Sequence, residues 1–261
     1  LPGHESAEVS WDIQSHIEQA MLDKQPLIVC MMDYWKYFDA MEPNFVRDFM
    51  VAIGIDPDYA AIVHDIYTNS KRYIKIGRTF GKAFTSSNGS GQGDVYSILA
   101  AVALVSVQFA FIQSRYPKLK MGSCVDDRNI RGDFQTVVQA FGEMAQYDKL
   151  AGHFNNVSKL VMTATDKEGR KLIQQHNFGT TQEPEYANYF SIDKNVGDYI
   201  NTTQHNATCQ VEKRMKYAIA AAIRSSKCPA SQALKSKGVA TLAIPRMLQG
   251  TQWSIPSSKS I

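Results

Sequence analysis

The chain has 261 residues, of which 44% are hydrophobic and 20% are charged, a composition that supports one large or two modest folded domains and argues against disorder. Four widely separated cysteines form no CxxC pair, so they indicate neither a zinc site nor a disulfide framework and fit a reducing, intracellular location. The chain opens at Leu1 rather than Met, and we expect a fragment or a processed product.

The net charge of +3 hides an uneven distribution. From Ala207 onward the chain has nine Lys and Arg residues against the single acid Glu212, a net charge of +8, whereas the rest of the chain carries −5. A second basic cluster contains no acid between its ends and consists of Lys71, Arg72, Lys75, Arg78 and Lys82. Each cluster alone fits a solvated face, but two of them around an acidic centre suit a polyanion that approaches a metal site.

The first third of the chain predicts helices and one central strand. Apolar spacing predicts a helix over 11–22, and the apolar run 27–32 predicts a buried strand that ends at Asp33. Two prolines predict helices near 43–53 and 57–69, the second with Asp56 as its N-cap.

Residues 71–86 predict a basic hairpin that turns around 77–81. A glycine-rich loop then leads into a long helix over 96–113, whose apolar run 98–112 is shorter than the ~20 residues of a membrane span. We therefore predict a buried helix and no membrane partner.

The remainder predicts a strand that ends at Val125, a second strand after Asp126 and Asp127, a helix over 134–150 and a strand near 159–164. Residues 165–205 are poorly patterned, and the basic tail predicts helix from Cys209. The interleaved strands and helices predict an α+β fold, in which helices back a sheet and a helical appendage follows.

Asp126 and Asp127 stand side by side in the stretch GSCVDDRNIRG, residues 122–132. Two carboxylates at ~4 Å repel by about 4 kcal/mol at an effective dielectric constant near 20. A solvated turn would screen this repulsion, and a divalent cation held by carboxylate oxygens would cancel it. Taken by itself, the stretch leaves both interpretations open.

Two-metal phosphoryl transfer requires carboxylates from different strands that meet at one point. Asp33 and Asp126 are candidates for that role. The glycine-rich loop over 88–97 would let a backbone or a base pair approach without obstruction by side chains.

Five segments resemble, in order, the motifs of reverse transcriptases of the group II intron and non-LTR retroelement type. Asp33-Tyr-Trp-Lys36-Tyr-Phe38-Asp39 resembles the family motif D-x-x-K-A-F-D, and Gly89-Ser-Gly-Gln92-Gly93-Asp94-Val-Tyr-Ser97 resembles G-x-x-Q-G-D-P-x-S. Cys124-Val-Asp126-Asp127 stands where the family has Tyr-Ala-Asp-Asp, and Gly152-His-Phe-Asn-Asn156-Val-Ser-Lys159 resembles G-L-x-x-N-x-x-K. The stretch IPRMLQGTQW at 244–253 resembles L-P-x-x-L-Y-G in the thumb. The resemblance spans nearly the whole chain and points to a retrotransposon-type enzyme.

The resemblance implies catalytic roles for Asp33, Asp126 and Asp127, which with the backbone carbonyl of Tyr34 would bind two Mg²⁺ ions or, in their place, Mn²⁺. It further implies a nucleotide-binding set that consists of Phe38, Gln92, Gly93 and Lys159. Candidate nucleic-acid contacts are Lys71, Arg72, Lys75, Arg78, Lys213, Arg214, Lys216 and Arg224. These roles are consistent with the chemistry of phosphoryl transfer, which depends on positioning the substrates and on neutralising phosphate charge.

In this interpretation, 1–25 is the end of the fingers, 26–200 is a palm with a fingers-type hairpin at 71–86, and 201–261 is a helical, thumb-like segment. Most of the N-terminal fingers would be missing. The sequence departs from the family pattern at Tyr37, Gly91, Val95 and Cys124, and the strand after the acidic pair, normally apolar in the family, begins with Arg128 and Asn129.

The predicted function is RNA-directed DNA synthesis, in which dNTPs are added to a primer 3′-hydroxyl on an RNA or DNA template. Two alternatives stay open. One is an inactive, polymerase-derived nucleic-acid-binding module, and the other is a metal-dependent nuclease that uses the same carboxylates.

Overall fold

The computed structural model describes residues 6–85, 88–91, 94–179, 182–189, 192–195, 198–202 and 208–245. The chain divides into two compact units. The first unit combines Leu1–Pro26 with Phe190–Ile261, and the second unit is the continuous segment Leu27–Tyr189. The predicted fingers, palm and thumb boundaries stay predictions.

The described residues contain nine strands, which are β1 (Ile28–Met32), β2 (Lys75–Ile76), β3 (Thr79–Phe80), β4 (Lys120–Cys124), β5 (Asp127–Gly132), β6 (Val161–Ala164), β7 (Asn188–Tyr189), β8 (Ile192–Asn195) and β9 (Asp198–Asn201). The α-helices of the same residues are α1 (Ser6–Leu22), α2 (Tyr37–Ala40), α3 (Pro43–Ala52), α4 (Pro57–Asn69), α5 (Val95–Arg115), α6 (Phe134–Leu150), α7 (Lys167–Gln175), α8 (Thr208–Lys227) and α9 (Gln232–Gly238). A short 3₁₀-helix spans Val157–Lys159, and a π-helical turn spans Val239–Ala243.

The second unit is built on a five-stranded sheet with the order β4-β5-β1-β6-β7. Strand β1 is central and pairs antiparallel with β5 and β6, and β4 pairs antiparallel with β5. The prediction of an antiparallel sheet is wrong at one edge, where the two-residue β7 runs parallel to β6. The fold is thus α+β with a mixed sheet backed by helices.

The core of the second unit lies between this sheet and its helices. Every residue of β1 is buried, as its apolar run predicts. Helix α6 packs against β1 and β5, and α5 packs against α6. The core includes Cys30, Ile130, Leu104, Met144 and Met162, each at most 2% exposed. This packing fixes the ends of β1 and β5, which carry the acidic residues.

Local signals place the helix starts where the sequence predicts them. The Asp56 side chain accepts hydrogen bonds from the first turn of α4, and Pro57 occupies the first helical position. Glu42 caps α3 in the same way, and Asp133 caps α6. Helix α7 was not predicted. Asp166 caps it, and Gly169 brings it so close to β1 and β6 that a Cβ there would lie 2.8 Å from Ile28 Cδ1.

Helix α5 has 21 residues and is longer than predicted, and by length and composition alone it could cross a membrane. A core helix passes the same test. One side of α5, which includes Ala101, Leu104 and Ile112, belongs to the core of the second unit, whereas Val102 and Phe111 are exposed.

In the first unit, α1 contacts β9, and α8 packs with α9 and with the π-helical turn. Strands β8 and β9 form an antiparallel pair. The predicted helical tail is confirmed over α8 and α9. Of the thumb-like stretch 244–253, residues 246–253 lie outside the described residues.

Candidate active site

The three acidic residues predicted from the sequence all lie at one end of the central sheet. Met32 pairs with Arg128 in the last register position of β1 and β5. Asp33 follows Met32 and Asp127 precedes Arg128, so these two carboxylates stand one step beyond that pair on neighbouring strands. Asp126 occupies the turn between β4 and β5.

The turn that carries Asp126 is backbone-strained. Cys124 pairs with Asp127, which leaves Val125 and Asp126 as a two-residue connection. Val125 has φ 59°, in the left-handed region that β-branched residues avoid. Such a conformation costs about 1–3 kcal/mol and persists only where the surrounding structure holds it. Here that structure is the paired β4-β5 ladder.

The acidic cluster has an excess of negative charge. Burial, and then the charges of Asp126 and Asp33, raise the pKa of Asp127 to about 6, while Lys159 acts in the opposite direction. Lys159 Nζ lies 3.0 Å from Asp33 Oδ2 as an ion pair. The Lys159 ammonium therefore acts on Asp33 and Asp127, and the additional charge of Asp126 in this cluster favours a further cation.

Among the residues that the structure describes, no three His, Cys, Asp or Glu side chains lie close enough to share one metal ion. The donor chemistry nevertheless fits Mg²⁺, which prefers carboxylate oxygens. Asp33 Oδ2 is buried and is paired with the Lys159 ammonium, so it becomes available as a ligand once Lys159 moves.

Backbone pairing positions Lys159 beside Asp33. The Asn156 amide donates to the Asp33 carbonyl at 2.9 Å, and the Trp35 amide donates to the Phe154 carbonyl at 3.0 Å. The 3₁₀-helix that ends at Lys159 follows directly. Two segments that resemble separate family motifs are thus joined by main-chain hydrogen bonds, which side-chain patterns do not reveal.

A second main-chain junction places the glycine-rich loop beside Phe38. The Ser90 amide donates to the Phe38 carbonyl at 2.9 Å, and the Gly89 amide donates to the Met41 carbonyl at 2.8 Å. Phe38 is partly buried against the core and meets Tyr37 edge-to-face. Gln92 and Gly93, predicted to contact the nucleotide, lie outside the described residues.

Gly89 is required at this junction on two grounds. It has φ +90°, and a Cβ there would lie 3.1 Å from Asp39 Cα and 3.2 Å from the Asp39 carbonyl oxygen.

We expect Gly89→Ala to destabilise the protein by about 2–3 kcal/mol in urea unfolding. The alanine would strain the backbone at residue 89 and would push the loop away from the backbone of Asp39. Gly54→Ala is the matched control, since Gly54 has φ +97° with no atom within 4 Å, and it should cost only the strain, about 1 kcal/mol. Equal losses would show that the loop is not packed on 38–41.

A buried polar network that the sequence did not predict lies next to the acidic residues. Arg128 Nη1 donates to Asp148 Oδ1 at 2.7 Å, to Gln108 Oε1 at 2.6 Å and to the Tyr34 hydroxyl at 2.9 Å, and Nη2 donates to the Tyr37 hydroxyl at 3.0 Å. The Tyr34 hydroxyl in turn donates to Asp148 Oδ2 at 2.8 Å.

This network connects both acid-bearing strands to the helices behind them. Tyr34 follows Asp33, Arg128 follows Asp127, and Asp148 lies on α6. Burial raises the pKa of both tyrosine hydroxyls, which stay neutral, and the Arg128 guanidinium lies 4.4 Å from the Tyr34 ring centroid. The only signal in the sequence was Arg128 itself, in a strand that the family pattern expects to be apolar.

His153 makes the stability of this region pH-dependent. It is 2% exposed and stacks on Tyr37 with ring centroids 4.0 Å apart, and burial and then the Arg128 charge lower the pKa of His153 from 6.5 to about 4. Between pH 6.5 and pH 4 the unfolded chain therefore binds more protons, so stability is lost as the pH falls. We expect the free energy of unfolding of the unmodified protein, measured with urea, to fall by roughly 3 kcal/mol between pH 6.5 and pH 4 because of His153. The variant His153→Phe should lack this part of the loss. The same pH dependence in both proteins would contradict the assignment.

The predicted nucleic-acid contacts lie in both units. Lys71, Lys75 and Arg78 are exposed on the segment that contains β2 and β3, and Arg72 is partly exposed. On α8, Lys213, Lys216 and Arg224 are exposed and Arg214 is partly exposed. The two sets are therefore available to solvent within their own units.

The fold is similar to that of solved telomerase structures. Telomerase from Candida tropicalis, in complex with the TWJ fragment of telomeric RNA, matches 92% of this chain with a TM-score of 0.54 at 13% identity. Telomerase from Candida albicans, in complex with the same fragment, matches 93% with a TM-score of 0.53 at 11% identity. This chain spans about two fifths of those proteins, covering 41% and 42% of their lengths.

Apo telomerase from Candida tropicalis, truncated from its C-terminal domain, matches 76% of this chain with a TM-score of 0.53 at 15% identity. No protein-family model and no curated protein sequence matches the chain. At these identities the likeness shows the fold alone.

Proposed function

We propose that the chain is the catalytic portion of an RNA-directed DNA polymerase of the group II intron and non-LTR retroelement type. It would add dNTPs to a primer 3′-hydroxyl on an RNA or DNA template. One observation carries the proposal: Asp33 and Asp127 lie on neighbouring strands at one end of the central sheet, with Asp126 in the adjoining turn and Lys159 paired with Asp33, in a fold similar to that of telomerase structures.

Asp33 and Asp126 would hold two Mg²⁺ ions, assisted by Asp127 and the Tyr34 carbonyl, and Mn²⁺ could replace them. The ions would neutralise the triphosphate and stabilise the attacking and leaving oxygens. Asp127 supports this role, because its pKa is raised by burial and then by the charges of Asp126 and Asp33, and a divalent cation would offset both effects.

Lys159 would exchange partners when substrate binds. Its ammonium now pairs with Asp33, but 65% of its side chain is exposed, so it can turn to a triphosphate once metal replaces it at the carboxylate. Phe38 would lie under the sugar of the incoming nucleotide. The loop that leads to Gln92 and Gly93 is hydrogen-bonded beside Phe38, which supports a shared nucleotide site.

Nucleic acid would bind through phosphate contacts. Among its similar structures are telomerases in complex with an RNA fragment, and this chain has an exposed basic segment in each unit. Lys213, Lys216 and Arg224 on α8 would contact the duplex backbone of the template and primer without reading sequence. In this proposal 26–200 is the palm, 201–261 is the thumb-like segment and 1–25 is the end of the fingers, in an intracellular enzyme.

The test is primer extension on an RNA template with dNTPs and Mg²⁺, with and without EDTA. The proposal predicts extension that EDTA abolishes. Salt-sensitive binding of primer and template without extension would instead identify an inactive binding module. Release of nucleotides from the strands without extension would identify a nuclease.

A further inference from the structure

The segment 71–84, here called the basic hairpin, exposes aromatic side chains that the core does not use. Strands β2 and β3 pair with Lys75 opposite Phe80, and Arg72 and Phe84 exchange two backbone hydrogen bonds at 2.8 and 2.9 Å. Gly77, at φ +60°, begins the two-residue turn. This pairing holds the exposed rings on a defined backbone.

One face of the basic hairpin combines two rings with a cation. Tyr73 and Phe80 are 52% and 61% exposed, and their ring centroids lie 6.4 Å apart in an edge-to-face arrangement. Lys75 Nζ lies 5.4 Å from the Phe80 centroid. Large exposed rings cost free energy in water and, next to cations, indicate a binding surface.

The charge of the basic hairpin indicates the chemistry of its binding partner. Between Asp65 and Asp94 the chain contains five Lys and Arg residues and no acid. Such a surface is complementary to a polyanion. Exposed rings interleaved with cations match one polyanion in particular, a single strand whose unpaired bases stack while its phosphates meet the cations. A duplex hides its base faces and would leave the rings unused.

We infer that the basic hairpin is a stacking site for single-stranded nucleic acid, in which Tyr73 and Phe80 hold bases and Lys71, Lys75 and Arg78 hold phosphates. The inference rests on the nucleic-acid-binding part of the proposed function and not on catalysis. Neither base stacking nor phosphate contact reads the 2′-hydroxyl, so RNA and DNA strands of matched sequence should bind alike.

The test measures binding of the full chain to a labelled oligouridine of about 12 nucleotides by fluorescence anisotropy, over a series of salt concentrations. Tyr73→Ala and Phe80→Ala should each raise Kd by roughly 5- to 100-fold without changing the salt dependence. Arg78→Gln should instead lower the slope of log K against log salt by about 0.7.

Two further variants separate stacking from apolar contact and from misfolding. Ile76→Ala removes a side chain that is 78% exposed on the opposite face, and it should change Kd by less than about twofold. Phe80→Trp should bind at least as tightly as the unmodified chain, with Trp fluorescence quenched by the strand.

Equal Kd values for Phe80→Ala and Ile76→Ala would overturn the inference. So would ring-dependent binding to phosphatidylserine vesicles without ring-dependent binding to oligouridine, which would indicate a membrane surface. Primer extension by the unmodified chain is measured separately, so failure of stacking and failure of catalysis give different results.

Discussion

Asp148→Asn is expected to lower the free energy of unfolding by about 3–5 kcal/mol. Both side chains of the Arg128–Asp148 pair are only 1% exposed. The variant leaves a buried guanidinium without its counter-ion and removes an acceptor from the Tyr34 hydroxyl. Urea unfolding followed by circular dichroism measures the loss.

The matched control for this change is Asp48→Asn. Asp48 also pairs with an arginine, Arg47, at 2.8 Å, but its side chain is 69% exposed, so the loss should stay below about 1 kcal/mol. The double variant Arg128→Met with Asp148→Leu should recover only part of the stability, because apolar side chains can replace the buried ion pair but leave the Tyr34 and Tyr37 hydroxyls without these partners. Similar losses for Asp148→Asn and Asp48→Asn would contradict the buried network.

Asp126→Asn is expected to slow primer extension by about a thousand-fold while binding of primer and template is kept. A metal ligand contributes several kcal/mol to stabilising the transition state. The same change removes a charge that repels Asp127, so it should not destabilise the fold. Lost activity with an unchanged melting temperature would therefore report catalysis.

Asp58→Asn is the control for a lost carboxylate elsewhere. Asp58 is exposed in the first turn of α4, and its substitution should leave extension unchanged. Extension by Asp126→Asn at the rate of this control would show that Asp126 is not a metal ligand.

The sequence predicted the elements that have strong local signals. The buried run of β1 and the proline and Asp56 start of α4 depend on neighbouring residues alone, and both are confirmed. Helix α7 was missed because its sequence KEGRKLIQQ has only two large apolar residues. Its position depends on the contact of Gly169 with β1 and β6, which is distant in sequence.

The candidate site was also predicted from the sequence only in part. The acidic strand ends led to the prediction that Asp33 and Asp126 lie together, and the register of β1 and β5, with the turn between β4 and β5, places both at one end of the sheet. The network around Arg128 could not be predicted, because its partner Asp148 is 20 residues away on a helix whose pattern does not show which strand it faces. The metal ions, and the roles of Phe38, Gln92 and Gly93, stay predictions.

The proposed template-directed DNA synthesis is tested most directly by single-nucleotide incorporation on two RNA templates that differ only at the first templating base. With Mg²⁺ present, each of the four dNTPs is supplied alone. We predict that only the complementary dNTP extends the primer on each template, and that the preferred dNTP changes with the template base. Incorporation that ignores the template base, or no incorporation on either template while both are bound, would contradict the account.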